Sequence, residues 1–223
     1  MQDVIGSLLP LAMAIALGPI PIIAIALMFQ TATPGRTTVG FAVGWAVGIA
    51  ALAAVLTALA EVVPEGDAEH PRHWLGVVQI VLGVLLILLA AQKLRSWSKG
   101  DAEADMPTFL GSLTSTTPER SVVVGFAAAA VNPKHVAFVL PVGTMIVDHG
   151  LTGAEIGAAI GIFTLLASGT VIGPTVAWRL APERVGAAVD AVFAWMVRNM
   201  SVVSALILVL IGANVIGKGI ANF

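Results

Sequence analysis

Lys134 is the only formally charged residue placed well inside an apolar stretch of this chain, and His135 follows it. An ammonium held at membrane depth is costly, so it is usually retained for a purpose. Asn132 and Pro133 come immediately before it. Asn is a favoured N-cap and Pro is favoured at the first helical position, so a half-helix is expected to begin at Pro133 with its positive dipole end beside the lysine. That combination favours an anionic group over a cation. Lys134 could equally bond carbonyls freed at the break, or snorkel. His135 could relay protons, although a lone histidine beside a kink more often serves as a structural hydrogen-bonding residue. The first apolar stretch carries a comparable interruption, Leu17-Gly18-Pro19-Ile20-Pro21, in which each proline deletes a backbone donor and crowds the preceding turn. Non-helical backbone is tolerated at that depth only where protein covers it or a wet cavity receives it. Gly18, Pro19, Pro21, Asn132, Pro133, Lys134 and His135 therefore form the candidate substrate-binding and translocation site.

Other chemistries lack their residues. The chain has no cysteine, which removes disulfides, thiolate metal sites and thiol electron relays. A net charge of -2 offers no basic surface for nucleic acid, and no phosphate-loop motif indicates a nucleotide motor. Metal transport needs carboxylates or histidines clustered inside spans, whereas Glu61, Asp148 and Glu155 fall near the ends of apolar stretches, where solvation explains them. Gln79 and Asn214 read as hydrogen-bonding residues between helices, and Gly173-Pro174 as a further kink with a hinge or packing role. No catalytic residue, metal or cofactor is expected, and the chain does not read as an enzyme.

The elements that must position these residues are membrane spans. The 223 residues are 58% hydrophobic and only 11% charged, with a mean hydropathy of +0.97. A soluble domain of that composition would have too little polar surface. Stretches long enough to cross a bilayer as helix run approximately Val4 to Met28, Thr38 to Ala60, Trp74 to Ala91, Ser121 to Val147, Ala154 to Trp178 and Val202 to Ile220. The expectation is an all-α protein of six transmembrane helices, with the first retained as a helix rather than removed as a signal. Arg36, Lys93, Arg95, Lys99, Arg120, Arg179, Arg184 and Arg198 fall on one side of that topology, against Arg72 and Lys218 on the other. Basic loops stay cytoplasmic, so both termini are expected outside. In the central loop, Met106, Phe109, Leu110 and Leu113 suggest a short helix lying on the membrane. Val185, Val189, Val192, Phe193 and Met196 share one helical face, which suggests an amphipathic interfacial helix over 182–197.

Small and helix-breaking residues recur at a nearly constant shift. Pro19 and Pro133 stand 114 residues apart, while Gly40, Gly44 and Gly48 precede Gly153, Gly157 and Gly161 by 113, as Thr57 precedes Thr170. With three spans per half the second copy must enter the membrane upside down, as in the inverted repeats of secondary transporters. The expected organisation is a first three-helix repeat over 1–96, a cytoplasmic loop over 97–120 and an inverted repeat over 121–223, with the first and fourth spans broken at proline. The glycine series would let helix backbones approach closely, within one subunit or across a homodimer.

The run Ala16-Leu17-Gly18-Pro19-Ile20-Pro21-Ile22-Ile23-Ala24, together with Val131-Asn132-Pro133-Lys134, resembles the lysine-exporter (LysE) superfamily. Met106-Pro107-Thr108-Phe109-Leu110 through Leu113, Thr117-Pro118-Glu119-Arg120 and Asn132-Pro133-Lys134 resemble more narrowly the GAP family, the peptidoglycolipid or sulfolipid addressing proteins of mycobacteria and their relatives. Gly18 stands where that family commonly has a small residue such as Ser, and Phe109 where it often has Trp. The resemblance implies a plasma-membrane translocator that moves a glycolipid, or a lipid precursor, outward at the expense of the proton gradient. Its partners would be an amphiphilic substrate, membrane lipids and envelope-lipid biosynthesis proteins. An amino-acid exporter and a non-transporting scaffold for envelope enzymes are the rival readings. The first predicts a closed solvated pocket, the second a dry packed centre.

Overall fold

The computed structural model describes residues 2–62, 73–98 and 112–221, and these are almost entirely helical, with no strand among them. The helices are α1 (Gln2–Ala16), α2 (Pro19–Phe29), α3 (Pro34–Val62), α4 (His73–Ser98), α5 (Pro118–Ala130), α6 (Pro133–Asp148), α7 (Ala154–Ala167), α8 (Gly169–Leu180), α9 (Pro182–Arg198) and α10 (Met200–Ala221). A short 3-10 turn, Ser112–Ser115, precedes α5. Hydrocarbon satisfies no backbone group, so helices that close their own hydrogen bonds are the natural solution for so apolar a chain.

The breaks set the architecture. Among the described residues α3, with 29 residues, is the one helix long and apolar enough to cross a membrane by itself, and counting each of three bent pairs as one span raises the number to as many as four. α1 and α2 meet at 52°, α5 and α6 at 63°, and α7 and α8 at 68°. The first two bends fall at Gly18-Pro19 and Asn132-Pro133, where the prolines stand. The third is at Ser168-Gly169, whereas the sequence suggests a kink at Gly173-Pro174; Pro174 instead lies inside α8, which runs unbroken past it. α4 and α10, of 26 and 22 residues, occupy the third and sixth apolar stretches.

The chain forms two compact units, and each takes helices from both halves of the sequence. One comprises residues 1–64 and 107–193. In it α3 is the central element, packed chiefly against α5 and α6, while α1 packs against α7. Glycine makes the contacts close. A side-chain carbon at Gly44 would overlap the Val122 carbonyl, and one at Gly48 would lie 2.8 Å from the Phe126 carbonyl oxygen. α5 answers with Gly125, set against the backbone of Phe41 and Trp45, and α6 with Gly143, where an added carbon would stand 2.7 Å from the Leu56 carbonyl oxygen. Dispersion between backbones at this range replaces the hydrophobic drive that lipid abolishes. The buried hydroxyls of Thr57 and Thr175 bond back to Ala53 and Val171 one turn earlier, at 2.8 and 2.7 Å, and bring no unpaired polar group into the core.

Gly153, Gly157 and Gly161 make no close helix contact within the chain among the described residues, which leaves packing across a homodimer as the other reading of their spacing. Gly153 is in the turn before α7 at φ 46°, and an added carbon at any of the three meets nothing within 4 Å. The reason is angular. At the proline shift of 114, Gly153, Gly157 and Gly161 stand opposite Val39, Val43 and Val47 rather than Gly40, Gly44 and Gly48. One residue is a turn of about 100° around a helix. Val43 and Val47 are exposed, and so are the three glycines.

The second unit comprises residues 65–106 and 194–223. There α4 and α10 run against each other at Gly83 and Gly212: an added carbon at Gly83 would stand 2.6 Å from the Gly212 carbonyl oxygen, and one at Gly212 would stand 2.8 Å from that of Gly83. Leu113, expected on a membrane-lying helix, is instead buried in the 3-10 turn, which packs on α2; Met106, Phe109 and Leu110 lie outside the described residues. Large apolar side chains crowd the exterior, with Leu165 64% and Leu180 83% exposed. Water does not tolerate so continuous an apolar surface, and lipid does.

Candidate functional site

Pro19 opens α2 and Pro133 opens α6, each as the first helical residue after a break. A helix start leaves backbone N–H groups without acceptors. In α2 the cap is Gly18, which offers no side-chain oxygen, but Pro19 and Pro21 remove two of the donors that would otherwise stand unpaired. In α6 Asn132 does the capping: its Oδ1 accepts the backbone N–H of Lys134 at 3.0 Å. Local sequence thus stabilises both breaks inside an apolar surrounding.

The three breaks of this unit are joined. A side-chain carbon at Gly18 would lie 3.2 Å from the Lys134 Nζ, so the ammonium reaches across to the break of the first span. Thr170, at the start of α8, donates its hydroxyl to the Ala16 carbonyl at 2.6 Å, which ties the third break to the same place. Thr170 lies 154 positions from Ala16, yet it satisfies a carbonyl freed where α1 ends. Thr170→Val keeps the side chain's shape and deletes the donor. It is expected to cost about 1 kcal/mol, read as a lower melting temperature in detergent; an unchanged melting temperature would mean that the Ala16 carbonyl has another donor.

Lys134 is partly exposed, and among the described residues no carboxylate pairs with it. Its nearest aromatic neighbour is Phe138, with Nζ 5.8 Å from the ring centroid, and this holds the side chain without neutralising it. The ammonium, the first turn of α2 and the first turn of α6 together make a region of positive potential. His135 points the other way. It is buried, its Nδ1 is 2.8 Å from the Ala129 carbonyl oxygen, and its ring stands edge-on to Trp45 at 5.2 Å between centroids. A carbonyl can only accept, so Nδ1 carries the hydrogen, and the histidine secures the last turn of α5 beside the break.

Gly18, Asn132 and Lys134 are therefore brought together, and Pro21 is buried one turn into α2. His135 faces the packed side, against α3. Pro133 is exposed, while the side chain of Pro19 lies outside the described set, as do those of Gln79, Asn214 and Lys218. Thr164 and Ser168, which nothing above singles out, have hydroxyls that are buried without a hydrogen-bond partner among the described residues, beside the third break, and the same holds for Trp45 Nε1. An unpaired buried hydroxyl costs about 1–3 kcal/mol. The signal was there: two hydroxyl residues four apart and followed by Gly169 mark a turn that the apolar pattern around them conceals.

Neither the curated proteins nor the solved structures contain a match to the chain. The family model described as Sap, sulfolipid-1-addressing protein, matches residues 8–221, nearly the whole length, and the matched range includes both the break at Gly18 and the break at Asn132-Pro133-Lys134. With its apolar helices and this match, the chain is a membrane protein that belongs to the sulfolipid-1-addressing protein family.

Proposed function

We propose that this protein is a six-span exporter of the secondary-transporter type, similar to the lysine-exporter superfamily, which moves an anionic glycolipid or its precursor outward across the plasma membrane. The observation that carries the reading is the approach of Lys134 to Gly18, which sets an unneutralised cation between two broken spans. The family's name speaks of addressing a sulfolipid, and an acidic headgroup is what such a cation would receive. α4 and α10 complete the six spans, the two halves form an inverted repeat, both termini lie outside, and the proton gradient supplies the energy. No bound cofactor is required. Envelope-lipid enzymes would deliver the substrate, and a homodimer fits the unpartnered glycine face of α7.

The rival readings find less support. A zwitterionic amino acid needs an acceptor for its own ammonium, and no carboxylate accompanies Lys134 among the described residues. A scaffold has no use for a cation and unpaired hydroxyls at helix breaks. The test is profiling of cell-surface lipids after deletion of the gene and complementation with the wild type. Loss of one acidic glycolipid from the surface, with its precursor retained inside, is expected. Unchanged lipids with raised intracellular amino acid would overturn the proposal.

A further inference from the structure

A cavity of about 420 Å³ opens between α2, α8 and α9. Its volume is that of a small-ligand site, but its walls are hydrocarbon: Ile22 and Ile25 of α2, Pro174 and Ala177 of α8, Val185 and Val189 of α9. Among the described residues only two polar side chains line it. Thr170 commits its hydroxyl to the Ala16 carbonyl and so asks nothing of an occupant. Arg184, in the first turn of α9, makes no ion pair among the described residues and brings its charge to a helix N-terminus, where an anion is doubly favoured. The groove follows α8 from Ala177, near the α8–α9 turn and Arg184, to Thr170, seven residues or roughly 10 Å further in. Its inner end is therefore one side chain away from the joined helix breaks. Trp178 holds the third wall in place: its ring stacks on Phe29 of α2 at 4.5 Å between centroids and lies against Gly186 of α9, where an added carbon would be 3.1 Å away. The apolar face of α9, expected to rest on lipid headgroups, is thereby turned into a protein groove.

We propose that this groove seats one hydrocarbon chain of an anionic membrane lipid, with the lipid's headgroup on Arg184, and that it is the site from which substrate passes to the cation at Lys134. A wall without polar demands excludes a sugar or a peptide backbone from the interior, and the unpaired guanidinium at the outer end selects a negative headgroup over a zwitterionic one. The role as a loading site rests on the export reading above. The binding itself does not.

The test uses the full chain in lipid nanodiscs with two photoactivatable probes that carry the same diazirine acyl chain, phosphatidylglycerol and phosphatidylcholine. Labelling of α8 and α9 peptides by the anionic probe is expected, at least fivefold above the zwitterionic one. Val189→Trp fills the groove and is expected to cut labelling about fivefold, and Ala177→Phe does the same from the opposite wall should the first variant fold poorly. Arg184→Gln is expected to remove the preference for the anionic probe and keep the residual labelling. Labelling confined to other helices, labelling indifferent to both filling variants, or cross-linking of groove residues to chain residues 99–111 in place of lipid would each overturn the proposal. Failure of labelling with export intact would remove the groove and leave the export reading standing. Normal labelling in a protein whose loss leaves surface lipids unchanged would do the reverse.

Discussion

Gly44→Ala is expected to lower the melting temperature of the detergent-solubilised protein by roughly 10 °C, while Gly157→Ala leaves it unchanged or slightly raised. The added methyl at Gly44 overlaps the Val122 carbonyl and comes to 3.0 Å from the Phe126 amide nitrogen. Both obstacles are helix backbone, so no rotamer change relieves the clash, and α3 must part from α5 along the contact. Overpacking of this kind costs about 1–3 kcal/mol, and for a chain of this length each kcal/mol moves the melting temperature by about 2–4 °C. The same methyl at Gly157 meets nothing within 4 Å and gains the better helix propensity of alanine. Scanning calorimetry or a fluorescence melt reads both. Equal shifts for the two variants would mean that α3 and α5 do not meet through this face.

Lys134→Gln is expected to reduce surface display of the exported lipid about tenfold or more, the equivalent of roughly 1.4 kcal/mol in the transport barrier, without changing the melting temperature. Glutamine keeps a polar group of similar reach but no charge. Lys134 makes no ion pair among the described residues, so its removal strands no partner. Stability and transport should therefore separate. Gly18→Ala probes the same contact from the other side: its methyl would stand 3.2 Å from Nζ and 3.0 Å from the Ile15 carbonyl oxygen. The flexible ammonium can yield by a few tenths of an ångström, so a partial loss of display is expected. Full display with Lys134→Gln at wild-type protein levels would take the lysine out of the mechanism.

The all-helical character, the places of α3, α4 and α10, and the breaks at Gly18 and Asn132 were legible in the sequence, because apolar length and proline position act locally. Asn132 could be assigned its cap from residue type alone, and the Oδ1 bond to the Lys134 amide is that cap. The third break was not legible at its true place, since the sequence points to Gly173-Pro174 as the kink and Ser168-Gly169 lies in an apolar run. The glycines of the second half make no matching contact within the chain for a related reason. A spacing of 113 and one of 114 look alike in a sequence, yet they select faces about 100° apart on a helix. Contacts between distant residues were beyond reach altogether: nothing about Thr170 or Ala16 in isolation tells that one hydroxyl closes the other's carbonyl. His135 carried two readings in the sequence, proton relay and structural hydrogen bonding, and the bond from its Nδ1 to the Ala129 carbonyl, in the helix before the break, is of the second kind.

The unequal use of glycine in the two halves also distributes freedom within the larger unit. α3 is locked by backbone contact to α5 at Gly44 and Gly125 and to α6 at Gly143, so shifting it means unseating interlocked ridges on two sides at once. α7 and α8 present Gly157, Gly161, Gly169 and Gly173 to open space and carry a 68° bend of their own. If the proposed export proceeds by rocking, the stiff arm would serve as the stator and the loose, bent arm would travel, carrying with it the α8 wall of the groove that Arg184 lines.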